Sequence, residues 1–143
     1  MYKVYPREEY LLLNGQRLER IEALESCRQI FMNDEYVVKI EWGVDRYGMW
    51  QCRNEYKIWN NLNNRERKFF VPILYFRHKK ESDCIIQPRL NFKFYKAKST
   101  LGKYWNNKMK TILSKYGLID LYKYDARNWG VCDGKPLIFD YGC

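Results

Sequence analysis

Several features that the sequence lacks exclude whole classes of protein. No stretch of the 143 residues approaches the roughly 18 consecutive apolar residues of a membrane span, and the first residues are too charged for a signal peptide. His78 is the only histidine, which excludes a metal site built from several histidines. The five cysteines are odd in number and form no CxxC pair, so they predict free thiols in a reducing, cytoplasmic setting.

Repeats, low-complexity tracts and Pro/Gly-rich linkers are also missing from the sequence. The chain has the usual length of one domain, and its hydrophobic fraction of 46% and aromatic fraction of 17% are enough to build a core. A single folded domain over residues 1–143 is therefore expected, and a disordered chain is not.

The positive charge is concentrated in one part of the chain. The net charge is +9, but residues 65–115 hold 14 Lys/Arg against three acids and sum to +11, so the remainder sums to −2. A basic block in a nearly neutral frame favours an anionic partner, although a solvated surface has the same composition. Residues 91–110 contain six lysines, five aromatic residues and no acid, which suits phosphate contact with base stacking.

Apolar periodicity and turn formers predict an α+β chain in the order strands, helix, two strands, helix. The clearest helix covers residues 50–62, where Cys52, Tyr56 and Trp59 recur at i, i+4 and i+7. The other predicted elements are two short elements around Asn14-Gly15 within residues 8–24, a hairpin over residues 27–40, strands over residues 69–76 and 83–87, and a helix over residues 100–115.

A final β-hairpin is predicted around Asp133-Gly134, a strong two-residue turn signal between two apolar runs. Counting back from this turn sets Asn128 beside Asp140 at the open end of the hairpin. An amide oxygen and a carboxylate held together suit a hard cation such as Mg²⁺. The same two residues are also compatible with a polar pair at the open end of the hairpin that binds no cation.

Two charged residues fall on faces that are otherwise apolar. Lys39 lies in the predicted strand Val37-Val38-Lys39-Ile40, and Glu55 lies on the same helix face as Cys52 and Trp59. A carboxylate is costly to bury unless it is paired, so each residue is either exposed or paired with the other. A strand lysine, a helix glutamate and an Asn/Asp pair around a hairpin together form the pattern of a nucleotide kinase site.

These motifs resemble the protein-kinase-like family from about residue 25 to residue 142. Val38-Lys39-Ile40 resembles the third-strand lysine motif and Glu55 its helix partner. Ile85-Ile86-Gln87-Pro88 falls at the hinge, and Asn128-Trp129-Gly130 resembles the end of the catalytic loop. Phe139-Asp140-Tyr141-Gly142 resembles the DFG motif, with Tyr in place of Phe.

The resemblance implies ATP and Mg²⁺ as cofactors. Lys39 would hold the α- and β-phosphates, Glu55 would orient Lys39, and Gln87 would belong to the nucleotide site at the hinge. Asn128 and Asp140 would bind Mg²⁺. The implied fold is a kinase-like N-lobe, an antiparallel sheet plus one helix, over about residues 1–90. A reduced, mostly helical C-lobe with the final hairpin would follow over about residues 91–143.

Three departures from the family pattern bear on activity. Residues 24–27, where the glycine-rich loop would lie, contain no glycine. Lys123 occupies the position of the catalytic aspartate, so the candidate bases are Asp120, which requires a loop insertion, and Asp125, which requires a shift within the turn. The sequence stops one residue after Asp-Tyr-Gly, so a truncated or minimal form is expected, of a type that looks like phage- or virus-encoded products.

Three functions are compatible with these observations. The first is a minimal kinase that binds ATP–Mg²⁺ and transfers the γ-phosphoryl group to a host or partner protein. The second is an inactive pseudokinase that serves as an interaction or inhibitor module, with an acidic partner on the basic segment 65–115. The third is a basic nucleic-acid-binding protein. The cofactor-side residues favour the first, the missing base and glycines the second, and the basic aromatic segment the third.

Overall fold

Nine strands and three helices form the described part of the chain. The computed structural model describes residues 1–22, 28–47, 50–91, 102–120, 129–139 and 141. The strands are β1 (Val4–Pro6), β2 (Tyr10–Leu13), β3 (Gln16–Ile21), β4 (Gln29–Met32), β5 (Tyr36–Trp42), β6 (Tyr75–Lys79), β7 (Ser82–Pro88), β8 (Trp129–Cys132) and β9 (Lys135–Ile138). The helices are α1 (Val44–Tyr47), α2 (Gln51–Asn61) and α3 (Lys103–Lys115), with a 3₁₀ helix over Glu66–Phe69.

The first seven strands form one antiparallel sheet in the order β1-β2-β3-β4-β5-β7-β6. The two short elements predicted around Asn14-Gly15 are the strands β2 and β3, and both turn residues have positive φ, 50° and 80°. The hairpin predicted over residues 27–40 is confirmed as the β4–β5 pair. Asn33 Oδ1 accepts the backbone N–H groups of Glu35 and Tyr36 at 2.8 and 2.9 Å, which fixes this turn.

A crossover connection brings α2 onto the sheet. Strand β5 pairs with β7 and not with β6, its successor in sequence, so the chain leaves β5, forms α1 and α2, and returns as the β6–β7 hairpin. Helix α2 lies against β5, β6 and β7. Its buried residues are Cys52 and Glu55, so the predicted stripe does face the sheet and carries Glu55 with it.

The strand predicted over residues 69–76 is wrong in its first half. Residues 66–69 form the 3₁₀ helix, Phe70 makes an isolated parallel bridge to Ile138, and β6 begins only at Tyr75. The backbone N–H of Val71 donates to the Ile138 carbonyl at 2.8 Å, and Pro72 has no N–H to donate. This segment therefore pairs with the final hairpin and leaves the large sheet.

The hairpin predicted around Asp133-Gly134 is confirmed. Its register pairs Trp129 with Ile138 and Cys132 with Lys135. Asp133 and Gly134 both have positive φ, 52° and 74°, which the tight hairpin turn requires. The predicted second helix is also present as α3, which begins at Lys103; residues 100 and 101 lie outside the described residues.

The sheet separates two hydrophobic clusters because alternate residues point to opposite faces. Ile86 packs with Val38 in one cluster, which the curved strands β1 to β5 enclose, while Ile85 packs in the other. The second cluster joins α2, α3 and the hairpin β8–β9, with Trp129 and Tyr141 fully buried. Among the described residues, no helix has both the length and the apolar character needed to cross a bilayer.

Candidate functional site

Lys39 and Glu55 form an ion pair between β5 and α2. Val38 packs in the cluster on the opposite face of the sheet, so Lys39, its neighbour on β5, points toward α2. Lys39 Nζ lies 3.6 Å from Glu55 Oε1, and the two side chains are 5% and 0% exposed. The two residues that the sequence marks as anomalous on apolar faces are therefore buried together.

Glu55 is bound by two further groups. Arg28, directly before β4, places Nη2 3.0 Å from Glu55 Oε1, and the backbone N–H of Tyr141 donates to the same oxygen at 3.3 Å. Lys39 Nζ donates to the carbonyl of Phe139 at 2.7 Å. We call Arg28, Lys39 and Glu55, with the backbone groups of Phe139 and Tyr141, the Glu55 cluster. It joins the sheet, α2 and the segment after β9.

Cys52 and Glu41 border this cluster. The Cys52 N–H donates to Glu41 Oε1 at 3.2 Å, and Arg28 Nη1 donates to Cys52 Sγ at 3.7 Å. Burial raises the pKa of the Cys52 thiol to about 12, although the nearby Arg28 opposes the shift. The thiol is therefore neutral and a poor nucleophile at pH 7. Arg28, Lys39, Glu41 and Glu55 are all buried, so two formal positive charges balance two negative ones.

Tyr141 anchors the segment that follows β9. Its ring is fully buried, edge-on to Phe70 at a centroid distance of 5.0 Å, and its hydroxyl donates to the Val71 carbonyl at 3.1 Å. Burial raises the pKa of Tyr141 well above its usual range, so the hydroxyl stays protonated. The anchored residue presents its backbone N–H to Glu55, which fixes the two groups relative to each other.

A cleft of about 360 Å³ adjoins the Glu55 cluster, within the volume of roughly 300–1,000 Å³ typical of small-molecule sites. Lys39 and Phe139 belong both to its lining and to the cluster. The lining residues are Ile30, Met32, Val37, Lys39, Val71, Gln87, Pro88, Arg89, Leu90, Asn91 and Phe139. Most of these side chains are apolar, so the cleft combines apolar walls with one buried ammonium group.

Gln87 and Arg89 connect the cleft to the surrounding backbone. Gln87 is buried, and its Nε2 donates to the Val71 carbonyl at 3.5 Å, a long hydrogen bond. The Arg89 N–H donates to the carbonyl of Glu35 at 2.8 Å, which holds the chain after β7 against the β4–β5 turn. Residues 87–91 therefore form one wall of the cleft.

The structure brings together some of the predicted site residues. Lys39 and Gln87 line the cleft and Glu55 pairs with Lys39 beside it, whereas Asp120 is exposed beyond the end of α3. The other predicted residues, Asp125, Asn128 and Asp140, lie outside the described residues. Their assignments as base and Mg²⁺ ligands stay predictions. Among the residues that the structure describes, no three His, Cys, Asp or Glu side chains gather as a metal site.

Two functional groups, Arg28 and the hydroxyl of Tyr141, are not predicted from the sequence. Arg28 lies just before the β4–β5 pairing and reaches Glu55 across 27 residues of sequence, so no local signal identifies it. No local signal places the Tyr141 hydroxyl, since its acceptor, the Val71 carbonyl, lies 70 residues away in sequence.

Two of the three acids within the basic segment 65–115 are buried. Glu66 accepts hydrogen bonds from Lys115 Nζ at 2.7 Å and from the Tyr116 hydroxyl, and Asp83 Oδ1 lies 2.7 Å from His78 Nδ1. Desolvation alone would raise the pKa of Glu66, but hydrogen bonds from the Asn63 N–H, Lys115 and Tyr116 outweigh it and lower the pKa to about 2.

The exposed charged side chains that the structure describes in this segment are mostly basic. Of the three acids, only Glu81 is exposed. Helix α3 carries four lysines and no acid. Tyr104 on this helix is exposed, and Lys108 Nζ lies 5.5 Å from the centroid of its ring. Trp105 packs partly buried against Phe69, so its ring serves the core.

Comparison with known proteins places the fold. No protein-family model matches the sequence, and no curated protein matches it at a significant level. Among solved structures, the chain is similar to WbdD, described as a bifunctional kinase-methyltransferase, with a TM-score of 0.57 and 13% identity over 94% of this chain and 36% of that one.

Two further structures of WbdD give the same result. A complex with the kinase inhibitor LY294002 has a TM-score of 0.56 and 13% identity, over 94% of this chain and 34% of that one. Monomeric WbdD has a TM-score of 0.56 and 11% identity, over 99% and 43%. The chain thus spans between a third and somewhat over two fifths of these proteins. The likeness confirms a kinase-like fold, with an antiparallel sheet and few helices; the reduced C-lobe and the viral origin stay predictions.

Proposed function

We propose that the cleft beside the Glu55 cluster binds ATP with Mg²⁺, and that the protein transfers the γ-phosphoryl group to a partner protein. One observation carries the proposal: a buried lysine lines a cleft of nucleotide size while a buried glutamate and a backbone carbonyl hold it in place. A lysine fixed in this way is a point charge suited to phosphate.

The hydrogen-bonding capacity of Lys39 supports this assignment. An ammonium group has three N–H donors. Among the described residues, the Phe139 carbonyl accepts a hydrogen bond from this group at 2.7 Å, and the Glu55 carboxylate lies in ionic contact with it at 3.6 Å. The third donor is therefore available to a ligand in the cleft. Apolar side chains such as Ile30, Val37 and Leu90 provide walls against which a planar base packs.

Asn128 and Asp140 would hold the Mg²⁺ ion, since Asn128 directly precedes β8, Asp140 follows the end of β9 by two residues, and together they supply an amide and a carboxylate oxygen. When bound, the ion would neutralise charge on the phosphates. Asp120 and Asp125 are the two candidates for the base that accepts the proton of the phosphoryl acceptor.

Binding is tested by thermal unfolding with and without ATP–Mg²⁺. A ligand at 100 times its dissociation constant stabilises a protein by about 2.7 kcal/mol, so the melting temperature should rise with ATP concentration. Lys39→Met should greatly reduce the shift, whereas Lys57→Met, a matched change at an exposed position of α2, should retain it. The absence of any shift with wild-type protein at millimolar ATP–Mg²⁺ would refute the proposal.

The Mg²⁺ assignment and the transfer step need separate measurements. The Asp140→Asn variant should lose the extra shift that Mg²⁺ adds to ATP. With γ-labelled ATP, the wild-type protein should transfer label to itself or to a protein in a host lysate, and either Asp120→Asn or Asp125→Asn should stop the transfer. ATP binding without transfer would support the pseudokinase alternative, in which the kinase-like fold serves as an interaction module.

A second candidate function rests on the basic surface of residues 65–115. Two of its three acids are buried, and the described lysines of α3 are exposed, so the surface suits an anionic partner. Polyglutamate and a single-stranded oligonucleotide serve as probes of an acidic protein and a nucleic acid. Oligonucleotide binding should weaken steeply with salt, by a log–log slope of about −0.7 per phosphate contact.

Charge reversal locates this surface. The double variant Lys108→Glu/Lys110→Glu should weaken binding to whichever probe is bound, and Lys3→Glu, an exposed lysine outside the segment, should not. Preference for the oligonucleotide supports a nucleic-acid partner, and preference for polyglutamate supports an acidic protein. Failure of both probes to bind would exclude this second function.

A further inference from the structure

Among the residues that the structure describes, Arg28 is the nearest counter-ion of Glu55. We propose that Arg28 is a positioning residue of the phosphate site: by neutralising Glu55, it keeps the Lys39 ammonium directed to the Phe139 carbonyl and to the phosphates of a bound nucleotide. This inference rests on the proposed function, because it assigns a role within the same cleft. It adds a third charged side chain to the lysine–glutamate pair.

The distances divide the cluster into two unequal ion pairs. Arg28 Nη2 lies 3.0 Å from Glu55 Oε1, which is a hydrogen-bond distance. Lys39 Nζ lies 3.6 Å from the same oxygen, which is an ionic contact beyond that distance. The hydrogen bond of Lys39 goes instead to the Phe139 carbonyl at 2.7 Å. Glu55 is therefore bound more closely by Arg28 than by Lys39.

Arg28 is held in this position by its surroundings. Its side chain is 2% exposed, and Nη1 donates to Cys52 Sγ at 3.7 Å. Cys52 in turn donates from Sγ to the Lys39 carbonyl at 3.8 Å, so the thiol links the two cationic residues. A guanidinium group keeps its charge when buried, whereas a buried lysine loses its proton more readily. Arg28 thus supplies a permanent positive charge to Glu55.

Removal of Arg28 should change the direction of the Lys39 side chain. Without Arg28, Lys39 would be the nearest cation to a buried carboxylate and would be drawn into a direct hydrogen bond with it. The ammonium group would then turn away from the cleft and contact the phosphates less well. The apolar walls of the cleft would not change, so binding of the nucleoside part should be preserved.

Calorimetric titration with ATP–Mg²⁺ and with adenosine tests this difference. Arg28→Met should weaken ATP binding about tenfold or more and change adenosine binding by less than about twofold. Arg28→Lys, which keeps a positive charge, should recover most of the ATP affinity. Arg17→Met is the matched control, since Arg17 pairs with Glu19 on the exposed surface of β3, and it should alter neither affinity.

Measurements in a Lys39→Met background distinguish a positioning role of Arg28 from direct contact of Arg28 with the phosphates. In Lys39→Met protein, Arg28→Met should cause no further loss of ATP affinity if Arg28 acts through Lys39. A further loss would mean that Arg28 contacts the phosphates itself and would overturn the positioning role. Should Arg28→Met fail to fold by circular dichroism, Arg28→Gln takes its place, because glutamine retains a donor without the charge.

The remaining outcomes distinguish the inference from the function on which it rests. Equal losses of ATP and adenosine affinity would show a purely structural role for Arg28 and overturn the inference. An unchanged preference for ATP over adenosine in the Arg28→Met protein would also overturn the inference. If the wild-type protein binds neither compound, the proposed function fails first, and the inference fails with it.

Discussion

Replacement of Glu66 by glutamine should weaken the attachment of α3 to the 3₁₀ helix. The carboxylate accepts hydrogen bonds from the Asn63 N–H at 2.9 Å, from Lys115 Nζ at 2.7 Å and from the Tyr116 hydroxyl. Glutamine has nearly the same size but removes the charge and replaces one acceptor oxygen by an NH₂ donor, so the variant reports on these charge-assisted bonds. Glu66 itself is 7% exposed, which limits replacement of these bonds by water.

The magnitude follows from the pKa of Glu66, which is about 2 against an ordinary value of 4.5. One pKa unit corresponds to about 1.4 kcal/mol, so this difference sets an upper limit of roughly 3 kcal/mol on the stabilisation. The Lys115 side chain is 58% exposed and therefore screened by solvent. We expect Glu66→Gln to lower the free energy of unfolding by roughly 2 kcal/mol at pH 7.

The stabilisation that the Glu66 carboxylate contributes should decrease as the pH falls. Because folding lowers the pKa, the advantage of the wild-type protein is complete above pH 4.5 and disappears as the pH falls toward 2. Urea unfolding at pH 7 and pH 3.5, followed by tryptophan fluorescence, should show the gap shrinking by roughly 1 kcal/mol. Glu19→Gln, at an exposed ion pair, should cost less than about 0.5 kcal/mol. An equal gap at both pH values would refute the reasoning.

Two further predictions concern buried groups. Tyr141→Phe removes the hydrogen bond to the Val71 carbonyl and should lower the free energy of unfolding by about 1 kcal/mol in chemical denaturation, whereas an unchanged value would mean that this bond contributes nothing. Iodoacetamide at pH 8, read out by peptide mass spectrometry, should modify Cys132 before Cys52 and Cys84, because burial raises the pKa of the latter two thiols to about 12; equal rates would contradict this.

Local signals account for most of the fold that was predicted. Asn14-Gly15 and Asp133-Gly134 specify tight turns through residues with positive φ, and both hairpins are present. The α2 stripe follows from helical spacing of apolar residues. The segment around Val71 could not be predicted in this way, because its apolar residues are typical of a strand while its backbone pairs with the distant Ile138.

The residues of the candidate site also differ in whether local sequence signals identify them. Lys39 and Glu55 are detectable because a charge on an apolar face needs a partner, and the two residues lie in ionic contact at 3.6 Å. The contribution of Arg28 depends on which groups meet in three dimensions, since it reaches α2 across 27 residues of sequence. The Phe139 carbonyl is a backbone group, and no side-chain pattern identifies a backbone acceptor.

The two outer strands of the sheet influence how the protein behaves at high concentration. Strand β1 has only three residues and ends in Pro6, which has no N–H to offer to another strand. Strand β6, at the opposite border, carries Arg77 and Lys79. Edge strands that are short, contain proline or carry positive charge discourage the addition of a strand from a second molecule. The protein should therefore resist, at high concentration, the edge-to-edge association that long apolar edge strands promote.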